Sequence, residues 1–297
     1  MTRIHTVLAA TDLSAPARHA VERAAMVAAD SGARLAVTHV VSRNALDELR
    51  HLLGQAPEAI EERLIDEARD AVRALAVDVG ARLGVTADVR VAAGQVLGEI
   101  VAHADVIDAG LLVMGARGAG FMRELLLGST TERVLRKSTR PLLVVKQIPH
   151  EPYLRVLVPV DFSPHSLAAI GLARAVAPRA ELVLVHAFEV PFEGKLRFAG
   201  VEDDAIHGYR VAARRTATDR MNGLIADAGL PDGSVRWVIV HGDPSSRILE
   251  QEQEQDCDLI VVGKRGRSVL EELLLGSVTK HVLAQSAADV LVADRPA

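Results

Sequence analysis

One unit occurs twice in this sequence, and the repeat constrains the fold more than any other feature. The first copy opens with the run IHTVLAATDLS and the second with LRVLVPVDFS. Later segments also correspond, GARGAGFMRELLLGS in the first copy and GKRGRSVLEELLLGS in the second. Asp161 follows Asp12 by 149 residues, and Gly263 follows Gly115 by 148. A fixed internal period indicates that the chain consists of two copies of one structural unit.

The two copies meet at Gln147–Tyr153, a stretch that contains two prolines and lacks hydrophobic periodicity. Such a stretch is typical of a short linker. We therefore predict a first domain over residues 1–147 and a second over residues 153–297. A length of 297 residues agrees with two domains of ordinary size.

Each copy alternates apolar runs of strand length with helical patterns. In the first copy, strand Ile4–Ala10 precedes a helix that Ser14 can cap and Gly32 ends. Strands that are apolar on both faces and joined by helices predict an α/β fold, with a mostly parallel sheet covered on both sides. In such sheets ligands bind beyond the carboxyl ends of the strands, where the strand order reverses. Asp12 and Asp161 stand at such ends.

Composition excludes several classes of protein. A net charge of −5 and 3% aromatic residues disfavour a nucleic-acid partner, because such proteins need a basic face or stacking platforms. The single cysteine, Cys257, excludes an internal disulfide, and we interpret it as a small apolar residue of the core.

No apolar stretch reaches the ~20 residues of a membrane span. The N-terminus runs straight into a strand without a signal peptide, so we expect a cytoplasmic protein with no membrane partner.

A glycine motif follows the fourth strand of each copy: Gly-x-x-Gly, nine residues, then Gly-Ser. Its members are Gly115, Gly118, Gly128 and Ser129 in the first copy, and Gly263, Gly266, Gly276 and Ser277 in the second. Glycine permits a positive φ and lets the backbone approach a ligand closely. The Gly-Ser pair precedes a helix, whose N-terminus offers unpaired N–H groups to an anion. The two glycine groups could therefore hold a polyphosphate between them.

Helix capping is the competing interpretation of the Gly-Ser pair. Ser129 and Glu132 form a complete capping box in the sequence, but the second copy has Lys280 in place of the glutamate. Because Gly-Ser persists there without the box, we favour phosphate binding. Arg117 and Arg265, inside the Gly-x-x-Gly turns, could neutralise phosphate or remain solvated loop charges.

An aspartate and a histidine also recur in both copies, and each has more than one interpretation. Asp12 and Asp161 could accept hydrogen bonds from a ribose hydroxyl or an adenine amino group, or cap the next helix, although Ser14 and Ser163 are better placed as caps. His39 and His186, near the end of the second strand, are interpreted as structural. No histidine or cysteine cluster has the spacing of a metal site, so we predict none.

With these motifs the chain resembles the universal stress protein family, in its ATP-binding branch, over nearly all of both halves. The resemblance implies two tandem adenine-nucleotide alpha-hydrolase-like, Rossmann-like domains, each with a five-stranded, mostly parallel sheet and helices on both faces. It implies that ATP binds, usually with Mg²⁺. It also implies that the last strands, Leu142–Lys146 and Val290–Ala293, pair as an intramolecular pseudo-dimer, and a homodimer of whole chains is a further expectation.

The resemblance assigns roles to residues of this chain. Asp12 and Asp161 would contact adenosine, and Val40 and Ala187 would contact adenine through their backbones. The glycines and serines of the motif would hold the phosphates. The nucleotide sites would also include Arg117 with Thr130 in the first copy and Arg265 with Val278 in the second. Since Ala187 is smaller than Val40, and Val278 replaces Thr130, the two sites are expected to differ in affinity.

Three functions remain open from the sequence. The first is an ATP-binding regulator of a stress response. The second is a slow ATPase or autophosphorylating enzyme, which we disfavour because no repeated base is present beyond the two aspartates. The third is a scaffold in which one nucleotide site has been lost.

Overall fold

Strands and helices alternate along the whole chain. The computed structural model describes residues 3–53, 58–118, 127–190, 193, 198–199, 201–231, 233–264 and 275–294. The strands are β1 Thr6–Ala10, β2 Arg34–Ser42, β3 Ala87–Gly94, β4 Leu111–Gly115, β5 Leu142–Val145, β6 Arg155–Pro159, β7 Glu181–Phe188, β8 Arg236–His241, β9 Leu259–Gly263 and β10 Asp289–Ala293. The longer helices are α1 Ala15–Ser31, α2 Arg43–Leu53, α3 Glu58–Leu83, α4 Val96–Val106, α5 Ser129–Lys137, α6 Pro164–Val176, α7 Asp203–Asp227, α8 Pro244–Glu254 and α9 Ser277–Gln285.

The ten strands form one continuous sheet in the order β3-β2-β1-β4-β5-β10-β9-β6-β7-β8. Within each half the five strands are parallel, in the same relative order. The halves join through β5 and β10, which pair antiparallel with Leu143 opposite Leu291. The predicted pairing of the last strands is therefore confirmed, and the parallel sheet of each half is as predicted.

Two apolar cores lie on opposite faces of the sheet, because alternate residues of each strand point to opposite sides. Val7 and Ala9 of β1 belong to one core, and Leu8 and Ala10 belong to the other. Both cores include strand and helix residues from both halves. Cys257 is buried in the second core, and burial raises its thiol pKa to about 12, as befits a small apolar residue.

The predicted linker is an ordered part of the junction between the halves. Tyr153 is buried, and its hydroxyl donates to Oδ2 of Asp289 at 2.6 Å. Oδ1 of Asp289 accepts hydrogen bonds from the backbone N–H groups of Lys146 and Gln147, at 2.7 and 3.0 Å. Arg23 lies over the Tyr153 ring and forms an ion pair with Asp289 at 3.4 Å. A fully buried carboxylate is tolerated here because each oxygen has partners from the other half.

Two lysines cross the junction and hold the C-termini of α5 and α9. Lys146, after β5, donates to the Ser286 carbonyl at 2.7 Å. Lys264, after β9, donates to the Ser138 carbonyl at 2.8 Å and pairs with Asp294 at 2.8 Å. A cation at a helix C-terminus neutralises the carbonyls that have no partner within the helix. Lys146 of the first half therefore fixes the C-terminus of α9, and Lys264 of the second half fixes the C-terminus of α5. The N-terminus of each helix borders the candidate site of the half to which that helix belongs.

Candidate functional site

Each half has a cavity at the carboxyl ends of its strands, beside the point where the strand order reverses. The first has a volume of about 360 Å³ and the second about 300 Å³. The first is lined by all eight residues predicted for that copy: Asp12, Val40, Gly115, Arg117, Gly118, Gly128, Ser129 and Thr130. The second is lined by six of the predicted residues: Asp161, Ala187, Gly263, Gly276, Ser277 and Val278. The other two, Arg265 and Gly266, lie outside the described residues.

The aspartate after the first strand organises the turn into the next helix. Oδ1 of Asp12 accepts hydrogen bonds from the backbone N–H and the hydroxyl of Ser14. Ser14 occupies the N-cap position of α1, but its hydroxyl makes no capping bond. The expectation that this serine caps the helix through its side chain was therefore wrong, because the hydroxyl donates to the aspartate instead.

The second copy repeats this turn with one extra contact. Oδ1 of Asp161 accepts from the Ser163 N–H at 3.0 Å and from the Ser163 hydroxyl at 2.6 Å. The Ser166 hydroxyl adds a third bond at 2.9 Å. Leu13 and Phe162 stand at the same place in the two turns, with φ of 66° and 60°. A left-handed conformation is unfavourable for such residues, so its presence in both copies indicates that the surrounding contacts impose it.

His39 and His186 hold the end of the first strand of their own half. Nδ1 of His39 lies 2.8 Å from the Thr11 carbonyl, and Nδ1 of His186 lies 2.8 Å from the Val160 carbonyl. Since a carbonyl only accepts, Nδ1 must carry the proton in each ring. The histidines thus fix the backbone immediately before Asp12 and Asp161.

The glycines are required by close approach and not by a positive φ. Glycine permits both, but none of Gly115, Gly118 and Gly128 is among the described glycines with positive φ. A Cβ at Gly118 would lie 2.6 Å from Oδ2 of Asp12. A Cβ at Gly115 would lie 3.0 Å from the backbone oxygens of Arg117 and Pro16. The loop backbone therefore sits against the aspartate and the start of α1.

The Gly-Ser pair begins the helix that follows each loop. Gly128 and Gly276 are the N-cap residues of α5 and α9, and neither helix has a side-chain cap. The capping box predicted from Ser129 and Glu132 is therefore absent, because Ser129 is already the first helical residue. The first bond within α5 joins the Glu132 N–H to the Gly128 carbonyl at 2.9 Å. The N–H groups of residues 129–131 accordingly have no partner within the helix.

A threonine in each helix was missed by the sequence argument. Oγ1 of Thr131 donates to the Gly115 carbonyl at 2.9 Å, and Oγ1 of Thr279 donates to the Gly263 carbonyl at 2.7 Å. These bonds fasten the helix N-terminus to the end of the preceding strand. The signal was available, because the two threonines are separated by 148 residues, the period of the glycines.

The charges of the cavities come from few side chains. Among the described lining residues, Asp12 is the carboxylate of the first cavity and Asp161 that of the second. Arg117 is the cation among the described residues that line the first cavity. Within the described ranges no group of three histidine, cysteine or acidic side chains could bind a metal ion.

Comparison with known proteins agrees with this architecture. The sequence model of the Universal stress protein family matches residues 3–146 and again residues 152–294. A universal stress protein of Mycolicibacterium smegmatis is 28% identical over 300 residues, covering 98% of this chain and 97% of the relative. One from Mycobacterium tuberculosis is 31% identical over 195 residues, which span 63% of this chain and 62% of that protein.

Solved structures show the same fold. The crystal structure of a universal stress protein from Archaeoglobus fulgidus has a TM-score of 0.65 and 26% identity, and the match covers 98% of both chains. A structure from Pseudomonas aeruginosa has a TM-score of 0.64 and 19% identity, which supports the fold alone. Across the described residues, no helix combines the length and apolar character that a membrane span requires. The chain belongs to the universal stress protein family and contains two family domains in tandem.

Proposed function

We propose that this chain binds ATP with Mg²⁺ in the cavity of each half and acts as a cytoplasmic regulator in a stress response. The observation that carries the proposal is the N-terminus of α5, where the N–H groups of residues 129–131 have no helical partner. These groups border the same cavity as Gly115 and Gly118. A helix N-terminus of this kind attracts anions through its N–H groups and its partial positive charge.

The phosphates are assigned to the side of the cavity that borders β4 and α5. There Gly115, Gly118 and Gly128 line the cavity, and as glycines they present only backbone to it. Arg117 supplies positive charge next to the loop. Mg²⁺ ordinarily binds through phosphate oxygens and water with few protein ligands, so the sparse carboxylates of the cavity suit a metal that arrives with the nucleotide.

The adenosine is assigned to the opposite side, above β1 and β2. Asp12 stands between the two ends and can accept a hydrogen bond from a ribose hydroxyl. Val40, Val96 and Ile100 provide apolar walls for the base. This division follows the sheet, because β2, β1 and β4 are adjacent in that order.

Regulation fits the described residues better than efficient hydrolysis. Phosphoryl transfer needs a positioned base and strong charge stabilisation at the reacting phosphate. The carboxylate that lines each cavity belongs to the aspartate assigned to adenosine. Slow hydrolysis or autophosphorylation is the alternative, and it predicts turnover that is lost in Asp12→Ala.

Calorimetric titration of the full chain with Mg-ATP tests the proposal. We expect micromolar or tighter binding, about 8 kcal/mol, with about two nucleotides per chain. AMP, which lacks the outer phosphates, should bind more weakly because it reaches fewer of the N–H groups at the helix N-terminus. A thermal unfolding series with ATP should show a matching rise in Tm, since a ligand of the folded state stabilises it.

Three results would change the conclusion. A stoichiometry near one, with loss of binding in Asp12→Ala but not in Asp161→Ala, would leave the second half as a scaffold. Equal affinities for AMP and ATP would remove the phosphate assignment. Absence of both heat and thermal stabilisation would refute nucleotide binding altogether.

A further inference from the structure

Three buried side-chain atoms lack a hydrogen-bond partner in the part of the chain that the structure describes: Arg23 Nε, Thr38 Oγ1 and His103 Nδ1. Thr38 differs from the other two because its side chain does not titrate and because it lines the first cavity. Its side chain is buried, and no group in the described part of the chain satisfies the hydroxyl. A buried polar group without a partner is costly and calls for a physical explanation.

Thr38 lies at the side of the first cavity that is assigned to adenosine. It belongs to β2, two residues before Val40, and so points to the same face of the sheet. Its backbone carbonyl accepts a hydrogen bond from the Thr11 N–H at 2.9 Å, which places it beside the residue that precedes Asp12. The phosphate loop follows β4, which is separated from β2 by β1.

The second copy has an isosteric apolar residue at this place. His39 and His186 make the same contact in their halves, and Val185 precedes His186 as Thr38 precedes His39. Val185 is buried and lines the second cavity. Because the second half packs with valine at this position, the fold that the two halves share does not require a hydroxyl there.

We propose that Thr38 is a specificity-determining residue of the first site, where its hydroxyl hydrogen-bonds a polar atom of the nucleobase, and that Val185 denies this bond to the second site. The inference rests on the proposed nucleotide binding. In strands two χ1 rotamers are common, and a change between them moves the hydroxyl into another of the three positions around Cβ without moving the backbone. A ligand in the cavity can therefore recruit the hydroxyl.

The isosteric pair Thr38→Val and Val185→Thr tests this inference in the full chain. Val40 and Ala187 line the two cavities, so a ¹³C-methyl NMR titration of these residues with Mg-ATP reports each site separately. We expect Thr38→Val to weaken binding at the Val40 probe by roughly two- to tenfold, the worth of one neutral hydrogen bond, and to leave the Ala187 probe unchanged. Val185→Thr should strengthen binding at the Ala187 probe only.

Two further measurements separate recognition from structure. Because the hydroxyl is unpaired without ligand, Thr38→Val should raise the Tm of the ligand-free protein, whereas a structural hydroxyl would lower it. Inorganic tripolyphosphate has no base, so Thr38→Val should leave its affinity unchanged.

The outcomes distinguish this inference from the proposed function. If neither probe titrates with Mg-ATP in the unmodified chain, nucleotide binding itself fails. If both titrate but Thr38→Val leaves the Val40 curve unchanged, or lowers the Tm of the free protein, only the role of Thr38 is overturned.

Discussion

Gly118 and Asp12 stand so close that a Cβ on the glycine would lie 2.6 Å from Oδ2 of the aspartate. The carboxylate is not free to retreat, because its other oxygen accepts hydrogen bonds from Ser14. The loop after β4 and the turn after β1 are thus packed against each other at the centre of the first cavity. Any side chain at residue 118 must displace the aspartate assigned to adenosine.

Gly118→Ala should weaken Mg-ATP binding at the first site about tenfold or more. The added methyl group moves Asp12, and a hydrogen bond to a charged group is worth about 1.5–3 kcal/mol. The Val40 methyl titration measures the change. Gly223→Ala is the matched control, because a Cβ there meets no atom within 4 Å in helix α7. It should leave binding unaltered and stabilise the helix by about 1 kcal/mol. Unaltered affinity in Gly118→Ala would contradict the assignment of Asp12.

Asp289→Ala should lower the free energy of unfolding by about 3–5 kcal/mol, because it leaves Arg23 buried without its ionic partner. Tyr153→Phe, which removes one donor to this carboxylate, should cost about 1 kcal/mol. Urea denaturation measures both. Asp66→Ala breaks an exposed ion pair with Arg69 and should cost less than about 1 kcal/mol. A cost for Asp289→Ala no larger than this control would rule out the junction as a stabilising contact.

A charge relocation tests the two lysines of the junction. Asp294 of the second half is equivalent to Lys146 of the first half. Lys264 of the second half is equivalent to Ala116 of the first half. Lys264→Ala leaves Asp294 buried and unpaired, so unfolding free energy should fall by about 3–5 kcal/mol. Adding Asp294→Lys recreates the arrangement of the first half and should recover much of that loss. A double-mutant cycle measures the coupling, and additive losses would show that the equivalence fails.

Lys146 should make stability rise with pH between about pH 8 and 10.5. Burial lowers its pKa from 10.5 to about 8, so within that window the unfolded chain holds a proton that the folded chain has lost. Stability then increases with pH, by up to about 1.4 kcal/mol per pH unit. Below about pH 8 both states are protonated and the effect is constant. Urea denaturation of Lys146→Met alongside the unmodified chain should show a smaller slope in this window, and equal slopes would disprove the shift.

The sequence was sufficient for features that recur at short range or at the repeat period. The apolar strands, the helices between them and the tandem units follow from hydrophobic patterning and from the spacing of residues such as Asp12 and Asp161. Even the pairing of β5 with β10 was expected, through the family resemblance. The eight residues predicted for the first cavity are brought together because parallel strands end at one edge of the sheet.

Features that depend on distant chain segments were missed or misjudged. The motif predicts a close approach of the backbone at Gly118, but it does not show that the neighbouring group is Asp12, more than a hundred residues earlier. Asp289 looks like an ordinary polar residue before a strand, since its partners Arg23 and Tyr153 come from other parts of the chain. Ser129 matched a capping box, but the helix begins one residue earlier than that pattern assumes. Local patterns cannot supply tertiary partners, which is why the contacts of Gly118 and Asp289 were missed.

The pairing of β5 with β10 has a consequence for how the sequences of the two halves can diverge in evolution. A symmetric dimer of one domain must carry the same residue at equivalent positions of both subunits. Here the equivalent interface lies within a single polypeptide, and each half has its own coding sequence. Thr38 and Val185 can therefore differ although they occupy equivalent places in the two cavities. In such a chain the two cavities can acquire different affinities, one suited to a scarce ligand and the other to an abundant one. Because both lie in one polypeptide, the two kinds of cavity are always present in equal numbers.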